Sequence, residues 1–406
     1  MISFFNRASI FSVIATCFFI PFSTAFTALF STMAVLFWFL SGRFLNFPKI
    51  LKNYPTALVS LLLFFLFIIG LLYSPAELSD ALSNLKKYRE LLFLPIVISL
   101  LDGRPGAKSN AINSFIAGCI FLMLVSFFMK FGIIPSDRYG NSLVYHITHS
   151  FFMALLAFWS AHRTADSKQY RYFWLCVTLA ALANISYVAP GRIGMLVLIV
   201  LGLLFCTQRF SFRMQIAAVL ILSGLCSALY YSSDNISSRI NKAIAEVRAY
   251  EHEHGCSRTS MGMRLDWYID CVTLFQKKPL FGYGTGGFAV AHDKLIKGTG
   301  VQRTDNPHNE YLFIAVQLGS VGLFLFLLLF FLALLKSSKM VRPDGWLLQG
   351  VVISMATGCL LNSFLYDSQQ GHFFAFLAAV LLASSQRHSL TFFRTGENFR
   401  TISNKF

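Results

Sequence analysis

The chain has 406 residues, of which 56% are hydrophobic and 13% charged, and 44 are phenylalanine. A soluble globular chain carries roughly a quarter charged residues, a disordered chain is far less apolar, and a transmembrane barrel alternates in segments of about ten residues instead of forming solid runs. Membrane-spanning helices remain, and the formal charge of +16, which in a soluble protein would suggest nucleic acid, is first to be read as the positive-inside bias of such helices.

A crossing helix needs about 20 apolar residues. In chain order, spans are predicted near 6–20, 24–41, 55–73, 88–101, 110–134, 145–161, 172–188, 192–207, 212–231, 308–336, 346–364 and 371–385. The fold class is therefore all-α polytopic membrane protein with about 12 transmembrane helices. Arg7 followed by an apolar run to Pro21 resembles a secretory signal, but hydrophobicity resumes at Ala25, which predicts a retained first helix. Residues 1–231 would hold helices one to nine, 232–307 a large loop bearing amphipathic helices, 308–385 the last three helices, and 386–406 a basic tail, solvated or lipid-facing. With both ends cytoplasmic, 18 Lys and Arg residues fall on the cytoplasmic side, six on the short outer loops and span ends, and ten in the long loop. Long loops cross largely regardless of charge, so the comparison of 18 with six places 232–307 outside. No basic and aromatic segment lies outside this pattern, and no nucleic-acid partner is expected.

Of the eight cysteines, Cys256 and Cys271 share the outer loop and could pair in an oxidising compartment, while the other six lie in apolar spans. No CxxC spacing occurs, so no metal site is expected. The chemistry must then lie where polar residues crowd the outer side. Ala189-Pro190-Gly191-Arg192-Ile193-Gly194 breaks two apolar runs and sets a guanidinium at a helix start, as an interfacial snorkelling arginine or as an anion site. Arg264 opens an amphipathic helix with apolar positions 265, 268, 269, 272 and 275 that ends at Pro279; it pairs with Asp266 or Asp270, or binds an anion. Lys277 and Lys278 close that helix, and Gly282, Gly284, Gly286 and Gly287 follow as a pliant loop without a Walker lysine. Residues 239–254 read as a polar helix with a solvated face. Lastly, Asn306-Pro307 is a helix-start signal that predicts His308 in the first helical turn, with Asn309 and Glu310 beside it. His146, His149 and His372 lie near span ends, where structural hydrogen bonds are the default.

His308-Asn309, nine residues, Gly319, two residues and Gly322 resemble the signature of the O-antigen ligase family, which includes lipopolysaccharide O-antigen ligases, O-antigen polymerases and O-linking oligosaccharyltransferases. Gly191-Arg192 is similar to the family's small-residue-plus-Arg element, and Arg264 to Phe288 to its Arg-led helix ending in Pro-Leu-Phe-Gly-x-Gly. Asp137-Arg138-Tyr139-Gly140 is loosely similar to the stretch before the family's sixth span, and the resemblance covers roughly residues 130–385. Ala189-Pro190-Gly191 departs from the serine common beside that arginine.

The resemblance implies glycan transfer from undecaprenyl diphosphate to an acceptor hydroxyl, a lipid A core sugar for a ligase, at the periplasmic face of the bacterial inner membrane, with no metal, nucleotide or other cofactor. Elementary chemistry agrees. A departing diphosphate gains negative charge and calls for fixed cations, and arginine binds phosphate oxygens bidentately, which singles out Arg192 and Arg264. A sugar hydroxyl needs a base, and His308 suits that role near neutral pH, oriented by Asn309 or Glu310; Glu310 or Asp305 are alternative bases. Arg138, Lys277, Lys278, Asn309 and Glu310 are candidate substrate contacts, inversion is expected at the anomeric carbon, and the outer loop would cover a cavity open sideways to lipid. The alternatives are a polymerase joining two lipid-linked glycans and, from another class, a membrane transporter.

Overall fold

A computed structural model describes residues 2–136, 138–232, 234–253 and 259–383. Asp137, Cys256 with its expected pairing to Cys271, His254 and the expected tail 386–406 lie outside them.

The described residues form helices and turns, without a strand. In order these are α1 (Ile2–Phe19), α2 (Thr24–Leu40), α3 (Phe47–Asn53), α4 (Pro55–Gly70), α5 (Leu78–Lys87), α6 (Glu90–Leu101), α7 (Pro105–Lys130), α8 (His146–Asp166), α9 (Arg171–Ala183), α10 (Arg192–Arg209), α11 (Phe212–Ser232), α12 (Asp234–Glu253), α13 (Ser260–Lys277), α14 (Gly287–Leu295), α15 (Glu310–Ser337), α16 (Asp344–Cys359) and α17 (Ser368–Leu382). A helix stands at each of the twelve expected spans. Six of them are long and apolar enough to cross a membrane, or seven if the pair Thr24–Leu40 and Arg43–Asn53, bent by 82°, is one span.

Three of the remaining helices are distinguished by burial. Nearly every residue of α6, α17 and the middle of α8 is buried, so other helices enclose them; α6 and α17 are mostly apolar as enclosed helices are, while α8 also buries His149, Ser150 and Ser160. Two are also short: 12 residues in α6 and 15 in α17 give only about 18 and 22 Å at 1.5 Å per residue. Around this centre, α1 packs on α2 and α7, α9 and α10 pack on α8, and α4 and α16 pack on α15.

Two glycines fix the backbone that carries the polar residues. Gly194 lets α10 press against Ser150 of α8, where any Cβ would meet the serine side chain. Within α15, Gly319 has φ 65° and ψ −163°, a conformation essentially reserved for glycine, and its missing side chain is replaced by Leu280 and Phe281. The helix breaks there, and the loop 279–287 fills the gap. Ser320 N donates to Pro279 O at 2.7 Å, Tyr283 N to Val316 O at 2.9 Å, and Gly284 N to Gln317 O at 2.7 Å; the Gln317 side chain accepts from Gly286 N at 2.7 Å. Buried backbone groups freed by the break are thus paired. Instead of a pliant loop, the glycine-rich segment is a fitted strap that locks α13 and α14 against α15.

Candidate active site

Arg192 is the first residue of α10, separated by three residues from a π-helical turn, Asn184–Val188, that ends α9. That turn is pinned by a buried polar network: Asn184 Oδ1 lies 2.6 Å from His149 Nε2, Asn184 Nδ2 donates to Ser126 Oγ at 2.6 Å, and His149 Nδ1 meets Ser142 Oγ at 2.8 Å. His149 therefore has the structural role expected of it, and its effect is to fix where the chain re-enters a helix at Arg192. The Arg192 guanidinium lies 4.0 Å from Glu246 on α12, a buried carboxylate that also accepts from Met261 N at 3.0 Å.

Arg264 sits in the second turn of α13, whose N-cap Thr259 accepts from Gly262 N at 3.1 Å. Its guanidinium donates to Leu361 O at 3.3 Å, while Asp270 bonds His292 at 3.2 Å. Burial lowers the Arg264 pKa most; the neighbouring positive Arg192 lowers it further, and Tyr268, Tyr145 and Glu246 act in the opposite direction. Two guanidinium groups that repel each other, with the Glu246 carboxylate acting on both, form a site suited to a multiply charged anion.

His308 precedes α15 and lies outside its first turn. Asn309 is the N-cap, accepting from Leu312 N at 3.1 Å, and the helix begins at Glu310. The expectation failed because the Asn306-Pro307 signal stands three residues before the actual cap and first helical residue, Asn309 and Glu310, while His308 adopts φ 55°, an uncommon left-handed conformation for a side-chain-bearing residue. It is held there by Asn306 Oδ1, which accepts from His308 N at 2.9 Å and from Ser363 Oγ at 2.7 Å, and by Tyr268 Oη, which donates to His308 O at 3.1 Å.

The imidazole is oriented from α16–α17, not from its own helix. His308 Nδ1 lies 2.8 Å from Asn362 Oδ1, and Asn362 Nδ2 donates to Asp367 Oδ2 at 2.7 Å. A carboxylate accepts only, so Asp367 fixes the amide with its oxygen toward the ring, Nδ1 carries the proton, and Nε2 is left basic. The His308 pKa is lowered, first by burial and also by Arg264, against the Asn362 bond and Asp305. Burial pushes the Asp367 carboxyl up to about 6, against Lys87 and the Asn362 bond. Arg264 is thus electrostatically linked to Arg192 on one side and His308 on the other, and the three residues singled out by sequence share one region.

The other expected contacts divide. Arg138 is exposed and lies over the Tyr139 ring, 4.6 Å from its centroid, and Tyr139 in turn packs on Tyr145. Lys277 and Lys278 are not part of the cluster: 13 positions separate Lys277 from Arg264 along one helix, about 20 Å, and Lys278 instead covers the Tyr283 ring at 4.7 Å. Asn309 has both ends of its amide occupied, by Leu312 N and by Leu360 O at 3.0 Å, so it does not orient the imidazole. Nor does Glu310, which is fully buried and accepts from Tyr88 Oη at 3.0 Å and from Leu365 N and Tyr366 N at 2.9 and 3.1 Å. It anchors the α16–α17 segment and is out of reach as a base.

Sequence reasoning missed Asn362, Asp367, Tyr268, Tyr145 and Glu246. A signal existed for the first: Asn362-Ser363 is a polar pair inside an otherwise apolar predicted span, and polar groups at membrane depth are costly without a function. Below the π turn, α8, α9 and α10 border an apolar lateral cavity of about 470 Å³, from Ser186 and Tyr187 past Leu198 to Phe205.

Residues 172–327, which contain Arg192, Arg264 and His308, match the family described as O-antigen ligase. The chain is also similar to an uncharacterised protein of Haemophilus influenzae, 24% identical over 246 residues, a stretch that takes in 58% of this chain and 61% of that protein.

Proposed function

With residues 172–327 carrying the domain of the O-antigen ligase family, we propose that the protein transfers an O-antigen glycan from undecaprenyl diphosphate to a hydroxyl of the lipid A core, at the periplasmic face of the inner membrane. The observation that carries this reading is that the α16–α17 connection receives the Arg264 guanidinium at Leu361 O and orients the His308 imidazole through the adjacent Asn362, with Arg192 electrostatically coupled to Arg264.

In this reading the polyprenyl chain lies in the α8–α10 cavity and its diphosphate beneath Arg192 and Arg264. The acceptor oxygen attacks the anomeric carbon as the bond from that carbon to the phosphate oxygen breaks, the electron pair leaving with the diphosphate. His308 Nε2 takes the hydroxyl proton. Charge grows on the leaving oxygen only as the bond breaks, so cations already fixed there favour the transition state over the bound donor. A single displacement inverts the anomeric configuration. Burial serves the base by keeping it neutral near pH 7, and Glu246 holds Arg192 in place between substrates.

The experiment is a deletion strain complemented with variants, read on its lipopolysaccharide and in a reconstituted transfer assay. Deletion is expected to give bare core with accumulated lipid-linked polymer. Core bearing a single repeat unit would indicate a polymerase, and an unchanged profile would favour a carrier. His308→Ala and Arg264→Ala should each abolish transfer with the protein still folded in the membrane; transfer retained by His308→Ala would falsify the base assignment.

A further inference from the structure

At the opposite end of α8 from His146, helices α7, α8 and α16 enclose a second cavity of about 220 Å³, room for about seven waters. Its polar wall combines Lys108, Ser109 and Asn113 from the start of α7 with His162, Arg163 and Asp166 from the end of α8, and Asp344 opens α16 beside them. Trp159 completes the wall. It is 1% exposed, and its indole Nε1–H has no partner among the described residues. An indole N–H can only donate, so this buried group lacks an acceptor.

The charges also leave an excess. Lys108 pairs with Asp344 at 2.7 Å and Asp166 with Arg209 at 2.6 Å. Arg163, in contrast, donates to the neutral Asn113 side chain and lies over the Trp174 ring, 4.7 Å from its centroid. Two helices of 26 and 16 residues begin at this cavity and add the partial positive charge of their N-termini. Apolar Ile112 and Leu347 line the rest, and Ser109 and Asn113 form an exposed polar stripe one turn apart on a helix otherwise apolar enough to span a membrane.

We propose that this cavity binds the phosphate group of an anionic glycerophospholipid from the leaflet at that end, with Trp159 Nε1–H and the Arg163 guanidinium donating to its oxygens. The lipid is favoured over a free anion because one wall, α7, is a helix long and apolar enough to cross a membrane and Ile112, Trp159, Leu347 and two prolines make much of the lining apolar. Lys and Arg crowd that end of the chain, and basic pockets between spanning helices on such a face take anionic headgroups.

The test is native mass spectrometry of the full-length protein titrated with phosphatidylglycerol, phosphatidylcholine or inorganic phosphate, with thermal unfolding as the folding control. Trp159→Phe keeps an aromatic ring but removes the N–H donor together with part of the indole, so thermal unfolding is compared alongside; it and Arg163→Gln should each weaken phosphatidylglycerol binding about tenfold, leaving phosphatidylcholine unchanged. Lys168→Gln, exposed at the same end but off the cavity, should bind like the wild type. Unaltered binding by Trp159→Phe, an equal loss in Lys168→Gln, or displacement of the lipid by equimolar inorganic phosphate would each overturn the proposal.

Discussion

Asn362→Asp tests the orienting chain more sharply than any change to His308 itself. The substitution places a carboxyl where Asn362 Oδ1 now stands, 2.8 Å from His308 Nδ1 and with its other atom 2.7 Å from Asp367. Two carboxylates so close share a proton, so the pair keeps one negative charge, but that charge moves from roughly 7 Å to roughly 4 Å from the ring. At an effective dielectric constant of about 20 the gain for the imidazolium is roughly 1.8 kcal/mol, or about 1.3 pK units. His308 begins with its pKa lowered by burial. The neutral ring is the active form, so wild-type transfer should hold down to below pH 6.5 and fail as the ring protonates. Raising the pKa moves that failure to higher pH: the acid limb of the rate profile should rise by about one unit, with the plateau near pH 8.5 changed by only a few-fold. Asn362→Leu, which offers the ring no acceptor, should lower the rate about 10- to 100-fold at every pH. The assay is the reconstituted transfer between pH 5 and 9. An Asn362→Asp profile that overlays the wild type, or an acid limb displaced downward, would refute the orienting role of Asn362.

Glu310→Gln should retain transfer within a few-fold, because an amide oxygen can still accept from Leu365 N and Tyr366 N while its NH2 faces Tyr88 Oη; loss of all activity in a folded variant would return Glu310 to the role of base. His308→Gly should be inactive yet unfold in detergent no earlier than His308→Ala, since glycine relieves a left-handed backbone worth about 1–3 kcal/mol. Gly319→Ala should cost more than about 3 kcal/mol, combining a forbidden backbone region with a clash against the carbonyl of Leu280, and the readout is the yield of folded protein together with its thermal midpoint. Arg264→Lys should lose about 100- to 1000-fold in rate, as for removal of one donor to a developing anion, because an ammonium keeps the charge and loses the bidentate fork.

Helices were readable in the sequence because apolar runs and their breaks are local. Pro21, Pro55, Pro105 and Pro190 all stand at or beside helix starts, and every predicted span is helical. Burial by neighbouring helices was not readable in the same way: α6 and α17 are apolar and almost wholly enclosed, while 12 and 15 residues long. Arg192, Arg264 and His308 announced themselves as polar residues beside sharp breaks. Their partners did not announce what they pair with, although Asn362-Ser363 stood out as a polar pair. Asn362 and Asp367 act from 54 and 59 positions away from His308, through a pairing that only the tertiary arrangement creates, and no periodicity in the sequence carries it. Glu310 misled for the converse reason: adjacency to the histidine suggested contact, but consecutive residues across a helix start point in different directions.

The division of labour along the chain follows from these contacts. The residues proposed to meet the diphosphate and the acceptor all lie within 172–327, the stretch that matches the family. Glu246, Tyr268 and Asn306 hold them from within that stretch, and a second set of groups lies outside it: Leu361 O receives Arg264, Leu360 O receives Asn309, and Asn362 with Asp367 sets the imidazole. Glu310 in turn fixes this segment by binding the backbone of Leu365 and Tyr366. The connection between α16 and α17 therefore works as the common frame for a guanidinium from α13 and an imidazole from the start of α15. A shift of that connection would change the Arg264 to His308 geometry without touching either residue, and displacements of about 1 Å are costly where attack and departure must be aligned. Burying a carboxylate at Glu310 to immobilise eight residues of connecting chain is the physical expense at which that alignment is maintained.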